Sequence, residues 1–105
     1  MKLLTKELEK KLPPLYSTQD TDDPIVQVKF FSPTSSWTWY GIEYNPEERL
    51  FWGLVYGHER EFGYFSLDEL ESIKGPYGVG IERDMYFTPK PISQCKNPCS
   101  IREGV

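Results

Sequence analysis

The stretch that decides the fold is Trp37–Tyr56, WTWYGIEYNPEERLFWGLVY. It contains two runs rich in aromatic and β-branched residues, Trp37–Tyr44 and Leu50–Tyr56, a composition typical of β-strands. The segment between them, Asn45–Arg49, supplies turn-forming and charged residues at a length that suits a hairpin connection. The stretch therefore predicts two adjacent antiparallel strands.

The second run, LFWGLVY, is apolar on both faces. An antiparallel strand with one face in water would alternate between apolar and polar residues instead. Either this strand is central and covered on both faces, or one face carries exposed rings for a partner. We expect it to be the central, covered strand, because two predicted helices and a tail are available as cover.

The first run contains the aromatic triplet Trp37, Trp39 and Tyr40. Such rings could stack on single-stranded nucleic acid, but stacking platforms combine aromatics with a basic groove, and basic residues do not interleave here. We therefore expect Trp37 and Trp39 to pack in the core. Tyr40 points to the alternate face, where it is expected to be exposed and available to a partner.

The rest of the chain adds strands and two short helices. Three further strands are predicted, at Ile25–Phe31, Glu61–Phe65 and Ile81–Phe87. In the first of them Val26, Val28 and Phe30 share one face. Thr5 is a candidate N-cap for the first helix, and Ser66 with Glu69 forms a capping box for the second. The apolar faces of these helices are Leu4, Leu8 and Leu12 in the first and Leu67, Leu70 and Ile73 in the second.

Together these elements predict an α+β fold. It comprises an antiparallel β-meander of about four to five strands, with one helix at the N-terminus and one after the fourth strand. The domain is expected to span residues 1–91, and residues 92–105 read as an irregular tail that contains proline and cysteine.

Composition limits the classes of function. The chain has 105 residues and carries 16 acidic against 12 basic residues, a net charge of −4. A phosphate-backbone binder usually carries a basic face, so direct nucleic-acid binding is possible but not favoured. The leucines of the N-terminal segment are interleaved with charges, unlike a secretory signal, and no stretch approaches a membrane span. We expect a cytoplasmic protein with reduced cysteines.

The loop Leu15–Pro24, LYSTQDTDDP, is polar and is the first candidate for recognition. Tyr16 would be its amphipathic anchor, and Asp20, Asp22 and Asp23 would meet a basic surface of a partner. The alternative is that Tyr16 packs under the loop while the aspartates cap and solvate it. A metal site is not expected, because the spacing lacks the glycine and the terminal glutamate of a calcium-binding loop.

A second candidate patch is Arg83 with Asp84, at the start of the last strand. Arg83 or Asp84 could belong to a polar recognition surface. The alternative is an ion pair across the sheet from the segment Glu82–Asp84, for instance to Arg60 or Lys29. The structural ion pair is the favoured interpretation.

The remaining chemistry-bearing residues give weaker signals. His58 stands in a turn without an obvious nucleophile or orienting group beside it. Cys95 and Cys99 could be half of a zinc site, but a structural site needs four ligands, and free thiols are the favoured interpretation. No catalytic constellation, metal or cofactor is predicted.

Five stretches of the chain carry a resemblance to a known family. They are LLTKELEKKLPPLYSTQDTDDPIVQVKFFSP, TWYGIEY, FWGLV, EFGYFSLDELESIKGP and GIERDMYFTPKP, within residues 3–91. In these stretches the chain resembles a small family of domains of unknown function that bacterial plasmids, phages and integrative elements carry. Some relatives are associated with inhibitors of type II-A CRISPR–Cas systems. The family has no established catalytic residues to carry over.

The resemblance implies counter-defence by binding, with Cas9 or its guide-RNA complex as the candidate target. We therefore expect a non-enzymatic inhibitor that acts by protein–protein contact. A small acidic protein can occupy a basic channel by charge complementarity, although the charge imbalance here is mild for a full DNA mimic. The competing expectation is a nucleic-acid-associated accessory or anti-restriction protein of the same elements. It would need a basic patch formed by Lys29, Arg49, Arg60, Lys74 and Arg83.

Overall fold

A computed structural model of the chain describes residues 2–95. The fold is α+β, as predicted, and has two sheets and two short helices. In chain order the elements are α1 (Lys6–Lys11), β1 (Ile25–Val26), β2 (Val28–Phe31), β3 (Thr38–Asn45), β4 (Leu50–Tyr56), β5 (Arg60–Ser66), α2 (Leu67–Ser72), a 3₁₀ turn (Pro76–Gly78), β6 (Glu82–Arg83), β7 (Lys90–Pro91) and a second 3₁₀ turn (Ile92–Gln94).

The main sheet is antiparallel, with the strand order β5-β4-β3-β2-β6. The predicted hairpin is present: Thr38 pairs with Tyr56 and Asn45 with Leu50. The central strand is β3 rather than the predicted Leu50–Tyr56, which lies next to it as β4. Every residue of β3 except Asn45 is buried, because β3 has a strand on each side and cover on both faces.

The first face of the sheet packs against both helices. Thr5 caps α1 by accepting the Leu8 N–H at 3.2 Å, and Ser66 caps α2 by accepting the Glu69 N–H at 3.3 Å. Both predicted caps are therefore confirmed. The buried residues of this face are Leu3, Leu4, Leu12, Val28, Phe30, Trp39, Tyr44, Phe51, Phe65, Leu67, Leu70 and Ile81, with Leu8, Trp37 and Val55 packed against them. Ile73 is exposed because α2 ends at Ser72, one residue before it.

The second face is covered by the small β1–β7 sheet and by the residues that follow it. Its buried residues are Val26, Tyr40, Ile42, Leu54, Tyr56, Ile92 and Cys95, with Trp52 and Phe87 packed against them. Residues 92–95 therefore pack on the sheet, although the tail is predicted to begin at residue 92. The reason is that Ile92 and Cys95 supply apolar cover that this face needs. Residues 96–105, including Cys99, lie outside the described part of the chain.

Two predicted strands are shorter than expected. The strand predicted at Ile25–Phe31 is interrupted at Gln27, whose N–H donates to Gly41 O at 2.9 Å. As a result Val26 lies on the second face, opposite Val28 and Phe30, so the prediction of one shared face is wrong for Val26.

The strand predicted at Ile81–Phe87 is reduced to Glu82–Arg83. Asp84 ends it, because its carboxylate accepts the Tyr86 N–H at 2.9 Å and turns the chain away from the sheet.

Candidate partner-binding groove

A β-bulge in β3 changes the face of the sheet on which the Glu43 carboxylate lies. Gly41 pairs with Gly53, but the next pair is Glu43 with Trp52, so Ile42 is an extra residue. An extra residue breaks the strict alternation of side chains along a strand. Ile42 and Glu43 consequently both serve the second face, where Ile42 belongs to the core and Glu43 meets the loop that crosses it.

The carboxylate of Glu43 accepts hydrogen bonds from the acidic loop, Leu15–Pro24. Its side chain is 3% exposed, and its Oε1 accepts the Tyr16 N–H at 2.8 Å. Its Oε2 accepts the Thr18 N–H at 2.9 Å and the Thr18 hydroxyl in a short hydrogen bond. A buried carboxylate needs such donors to offset the loss of hydration. The loop therefore wraps around a fixed anion.

A row of side chains crosses the second face beside this carboxylate. Glu43 pairs across the strands with Trp52, and Trp52 pairs with Tyr64. The Trp52 ring centroid lies 5.1 Å from that of Tyr64 and 6.2 Å from that of Phe62, and the Phe62 ring is nearly parallel to the indole. Phe62 and Tyr64 both belong to β5, the edge strand of the sheet.

These rings and the loop enclose a groove of about 350 Å³. The residues that line it are Tyr16, Thr18, Gln19, Thr21, Asp22, Pro24, Glu43, Trp52, Phe62, Tyr64 and Ile92. Three of its rings stay largely in solvent: Tyr16 is 60% exposed, Tyr64 49% and Phe62 46%. Below, "the groove" means this set of residues.

Tyr16 links the loop to the edge strand. A side-chain hydrogen bond with Tyr16 is the main cause that raises the pKa of the Tyr64 phenol above its ordinary value. Tyr16 adopts a positive φ of 72°, which is uncommon for a residue other than glycine. Glu43 accepts the N–H of Tyr16 itself and the N–H of Thr18, and these two hydrogen bonds hold this backbone conformation.

Arg60 contacts one of the groove rings, Phe62. Its guanidinium lies 5.4 Å from the Phe62 ring centroid and 5.9 Å from that of Tyr56, and its Nε donates to the Tyr56 hydroxyl at 3.0 Å. The guanidinium is thus held against the rings of Phe62 and Tyr56.

The structure brings only part of the predicted loop site to the groove. Tyr16 and Asp22 line it, and Asp20 is exposed nearby in the same loop. Asp23 instead accepts the Ser93 N–H at 3.0 Å and its hydroxyl at 2.6 Å, which lowers the pKa of this carboxyl. Asp23 therefore joins the loop to the segment after β7.

The expectation that Tyr40 is exposed is wrong. Its side chain is 2% exposed, because the β1–β7 pair and the following residues cover the second face where it points. Burial is the main cause that raises the pKa of its phenol. Tyr40 packs edge-on to Tyr56, with ring centroids 6.0 Å apart, and is a core residue.

Arg83 and Asp84 lie at the opposite edge of the sheet from the groove. Arg83 donates to the carbonyl oxygens of Lys2 and Leu3, each at 2.7 Å, and so holds the N-terminal segment. Asp84 forms an ion pair with Lys29 at 3.5 Å, the favoured interpretation of this charge. The structure does not bring either residue to the loop site.

The basic residues proposed for a nucleic-acid patch are mostly engaged. Arg49 pairs with Asp68 at 2.7 Å and with Glu71 at 2.9 Å. Lys29, Arg60 and Arg83 make the contacts given above, and Lys74 lies on the first face beside another hollow. That hollow measures about 560 Å³, but none of its described lining residues is aromatic.

His58 lines a separate open hollow with Glu59 and Glu61. All three are exposed, and the imidazole makes an edge-on contact with Trp37 at 5.5 Å between ring centroids. This is not the buried cleft that an acid–base pair would use. Within residues 2–95, no group of three or more histidine, cysteine, aspartate or glutamate side chains is placed to hold a metal ion.

Sequence reasoning missed Glu43 and the rings of β4 and β5 as site residues. Glu43 is the single charge in the run TWYGIEY. An isolated carboxylate in an apolar strand needs hydrogen-bond donors nearby, and this requirement could have marked Glu43 as a candidate site residue. No local signal marks Phe62 and Tyr64 as exposed, because their exposure follows from the position of β5 at the edge.

The family model "Protein of unknown function (DUF2958)" matches residues 3–101. The chain belongs to this family. The DUF2958 match extends ten residues past the predicted domain limit at 91, and it includes both Cys95 and Cys99. Comparison with curated proteins and with solved structures gives no match. No helix within residues 2–95 is long and apolar enough to span a membrane.

Proposed function

We propose that this DUF2958 protein is a non-enzymatic binding protein whose recognition surface is the groove. One observation carries the proposal: three rings, Tyr16, Phe62 and Tyr64, stay about half exposed around one groove, whereas the rings of β3 and β4 are buried or half-buried. Rings of this kind are enriched in the centres of protein interfaces, and clustered exposed apolar surface marks interaction sites.

The charge pattern supports a protein partner over nucleic acid. Asp22 lines the groove and Asp20 is exposed in the same loop, whereas Lys29, Arg49 and Arg83 make contacts within the chain. A binder of nucleic-acid backbone would present such cations to the phosphates. The acidic loop instead suits a basic protein surface.

The resemblance drawn from the sequence supplies the target. We propose that the protein belongs to a bacterial mobile element and acts in the host cytoplasm as a counter-defence inhibitor of Cas9 or its guide-RNA complex. A direct block by contact needs no catalytic group of its own. Nucleic-acid association, as an accessory or anti-restriction protein, is the alternative.

The test is capture of Cas9 with guide RNA, together with DNA cleavage at excess protein. Two matched variants are compared: Phe62→Ser/Tyr64→Ser in the groove, and Tyr77→Ser/Tyr86→Ser, whose rings are fully exposed elsewhere. The wild type and the Tyr77/Tyr86 variant should inhibit, and the groove variant should not, while all three melt alike. Unimpaired cleavage with the wild type would remove the Cas9 proposal. Salt-dependent binding to single-stranded DNA would replace it with the alternative.

A further inference from the structure

We propose that the groove receives a lysine or arginine side chain from an extended segment of the partner, which pairs with the outer edge of β5. This inference rests on the proposed function, because it names what the same groove recognises.

The lining of the groove selects a cation. It combines aromatic rings with the carboxylates of Asp22 and Glu43, and no lysine or arginine is among its described lining residues. The face of an aromatic ring attracts a cation within about 6 Å of its centroid. The long stem of lysine or arginine would also cover apolar ring surface while its head meets the exposed carboxylate of Asp22.

The chain itself shows this contact on the same face of the sheet. Arg60 lies over the Phe62 ring at 5.4 Å, and Lys90 lies over the Phe87 ring at 5.2 Å. Within residues 2–95, no lysine or arginine lies over Trp52, Tyr64 or Tyr16. The rings of Trp52, Tyr64 and Tyr16 are therefore available to a cation of the partner.

The edge strand supplies the second half of the site. β5 has seven residues, and in the described part of the chain no strand pairs with its outer edge. An uncovered edge offers backbone groups to an added strand. At Gly63 an added Cβ would meet nothing within 4 Å, so the first face of β5 is also open at its middle residue. A strand added at the outer edge places alternate side chains on the second face, beside Phe62 and Tyr64.

A second copy of this chain is a poorer occupant. The only cation of β5 is Arg60, and it already contacts Tyr56 and Phe62. Pairing β5 with β5 of another copy would bring two acidic grooves together without a cation for either. Charge complementarity therefore favours a basic segment of a different protein.

The test uses two acetylated, amidated peptides, TVTKTVT and TVTETVT, titrated into the ¹⁵N-labelled full-length protein. The lysine peptide should bind about fivefold or more tightly than the glutamate peptide. The chemical-shift changes that the lysine peptide causes should fall on the backbone amides of residues 60–66 and on the Trp52 indole N–H. Asp22→Asn and Tyr64→Ser should each reduce this preference, and the control Tyr77→Ser should not.

Three outcomes of the peptide titration would overturn the inference. They are equal binding of both peptides, shifts outside β5 and the groove, and no shift at millimolar peptide. A concentration dependence of the β5 amides without peptide would assign the edge to a second copy and would also overturn it. If Cas9 capture still depends on Phe62 and Tyr64 in any of these cases, the proposed function stands. Only the inference that the groove receives a lysine or arginine side chain is then rejected.

Discussion

At the scale of single residues, Glu43 connects the fold to the groove. Its carboxylate is buried by the bulge in β3 and accepts three donors from the loop. Each of these bonds is charge-assisted, and leaving one donor unpaired costs more than a neutral bond contributes. The conformation of the loop that lines the groove thus depends on the Glu43 side chain.

Replacing Glu43 with glutamine should destabilise the protein by about 1–3 kcal/mol. The amide NH₂ would face an N–H donor of Tyr16 or Thr18, so at least one donor would lose its acceptor. Urea unfolding measures the loss, and amide exchange at Tyr16 and Thr18 should rise while the sheet stays protected.

The matched control is Glu61→Gln, which makes the same chemical change at an exposed position of β5. It should leave the free energy of unfolding within about 0.5 kcal/mol of the wild type. Equal stability of the two variants would contradict the role of Glu43.

Asp23 gives a pH-dependent prediction. Its pKa is lowered from 3.8 by the hydroxyl and the N–H of Ser93. A carboxyl whose folded pKa is depressed contributes stability above its unfolded pKa and loses it as the pH falls through the folded pKa. Ser93→Ala should therefore raise the pKa of Asp23 in an NMR titration. An unchanged pKa would show that the Ser93 hydroxyl does not act on this carboxyl.

At the scale of elements, the three strands β3, β4 and β5 position the aromatic row. Gly53 of β4 pairs with Gly41 of β3 and with Gly63 of β5. An ideal Cβ at Gly53 would lie 1.8 Å from the Tyr40 carbonyl oxygen, whereas one at Gly63 would meet nothing within 4 Å. The close approach of the β3 backbone therefore requires glycine at position 53, whereas no neighbouring atom requires it at position 63.

Gly53→Ala should destabilise the protein by about 1–3 kcal/mol, because the strands would have to separate to admit the methyl group. Gly63→Ala should instead be neutral or stabilise by up to about 1 kcal/mol, since alanine loses less backbone entropy on folding. Thermal or urea unfolding of both variants decides the matter. Similar effects at the two positions would contradict the close approach at Gly53.

Local elements were the predictable part of this fold. The caps at Thr5 and Ser66 and the central hairpin follow from neighbouring residues in the sequence. The break at Gln27 and the bulge at Ile42 do not, because they depend on what each sheet face packs against. The packing of residues 92–95 has the same origin, since the apolar side chains of Ile92 and Cys95 matter only once the second face exists.

At the scale of the whole molecule, the sequence predicted an acidic loop but not its neighbours. Tyr16 and Asp22 reach the groove, while Tyr40 is buried in the sheet and Arg83 lies at the far edge. Exposure of a side chain depends on strand order and cover, which alternation alone cannot supply. The rings of Phe62 and Tyr64 became visible as a site only through the position of β5.

The acidic loop should act on the rate of partner binding. Asp20→Asn/Asp22→Asn removes two exposed charges and leaves Asp23 on Ser93. We expect a slower association and a weaker salt dependence, with little change in melting temperature. The control Glu7→Gln/Glu69→Gln removes the same charge from exposed positions of the two helices, which pack on the other face of the sheet. Equal association rates for both variants would show that the loop charges do not steer binding.

The most direct test of the groove as recognition surface is hydrogen–deuterium exchange of the full chain, alone and with the Cas9–guide complex. We predict slower exchange in residues 16–24 and 60–66, because a partner on the groove would cover the loop and the outer edge of β5. Exchange in α1, α2 and the Pro76–Gly78 turn should not change. Protection confined to the helical face, or no protection under conditions where the complex forms, would contradict the account.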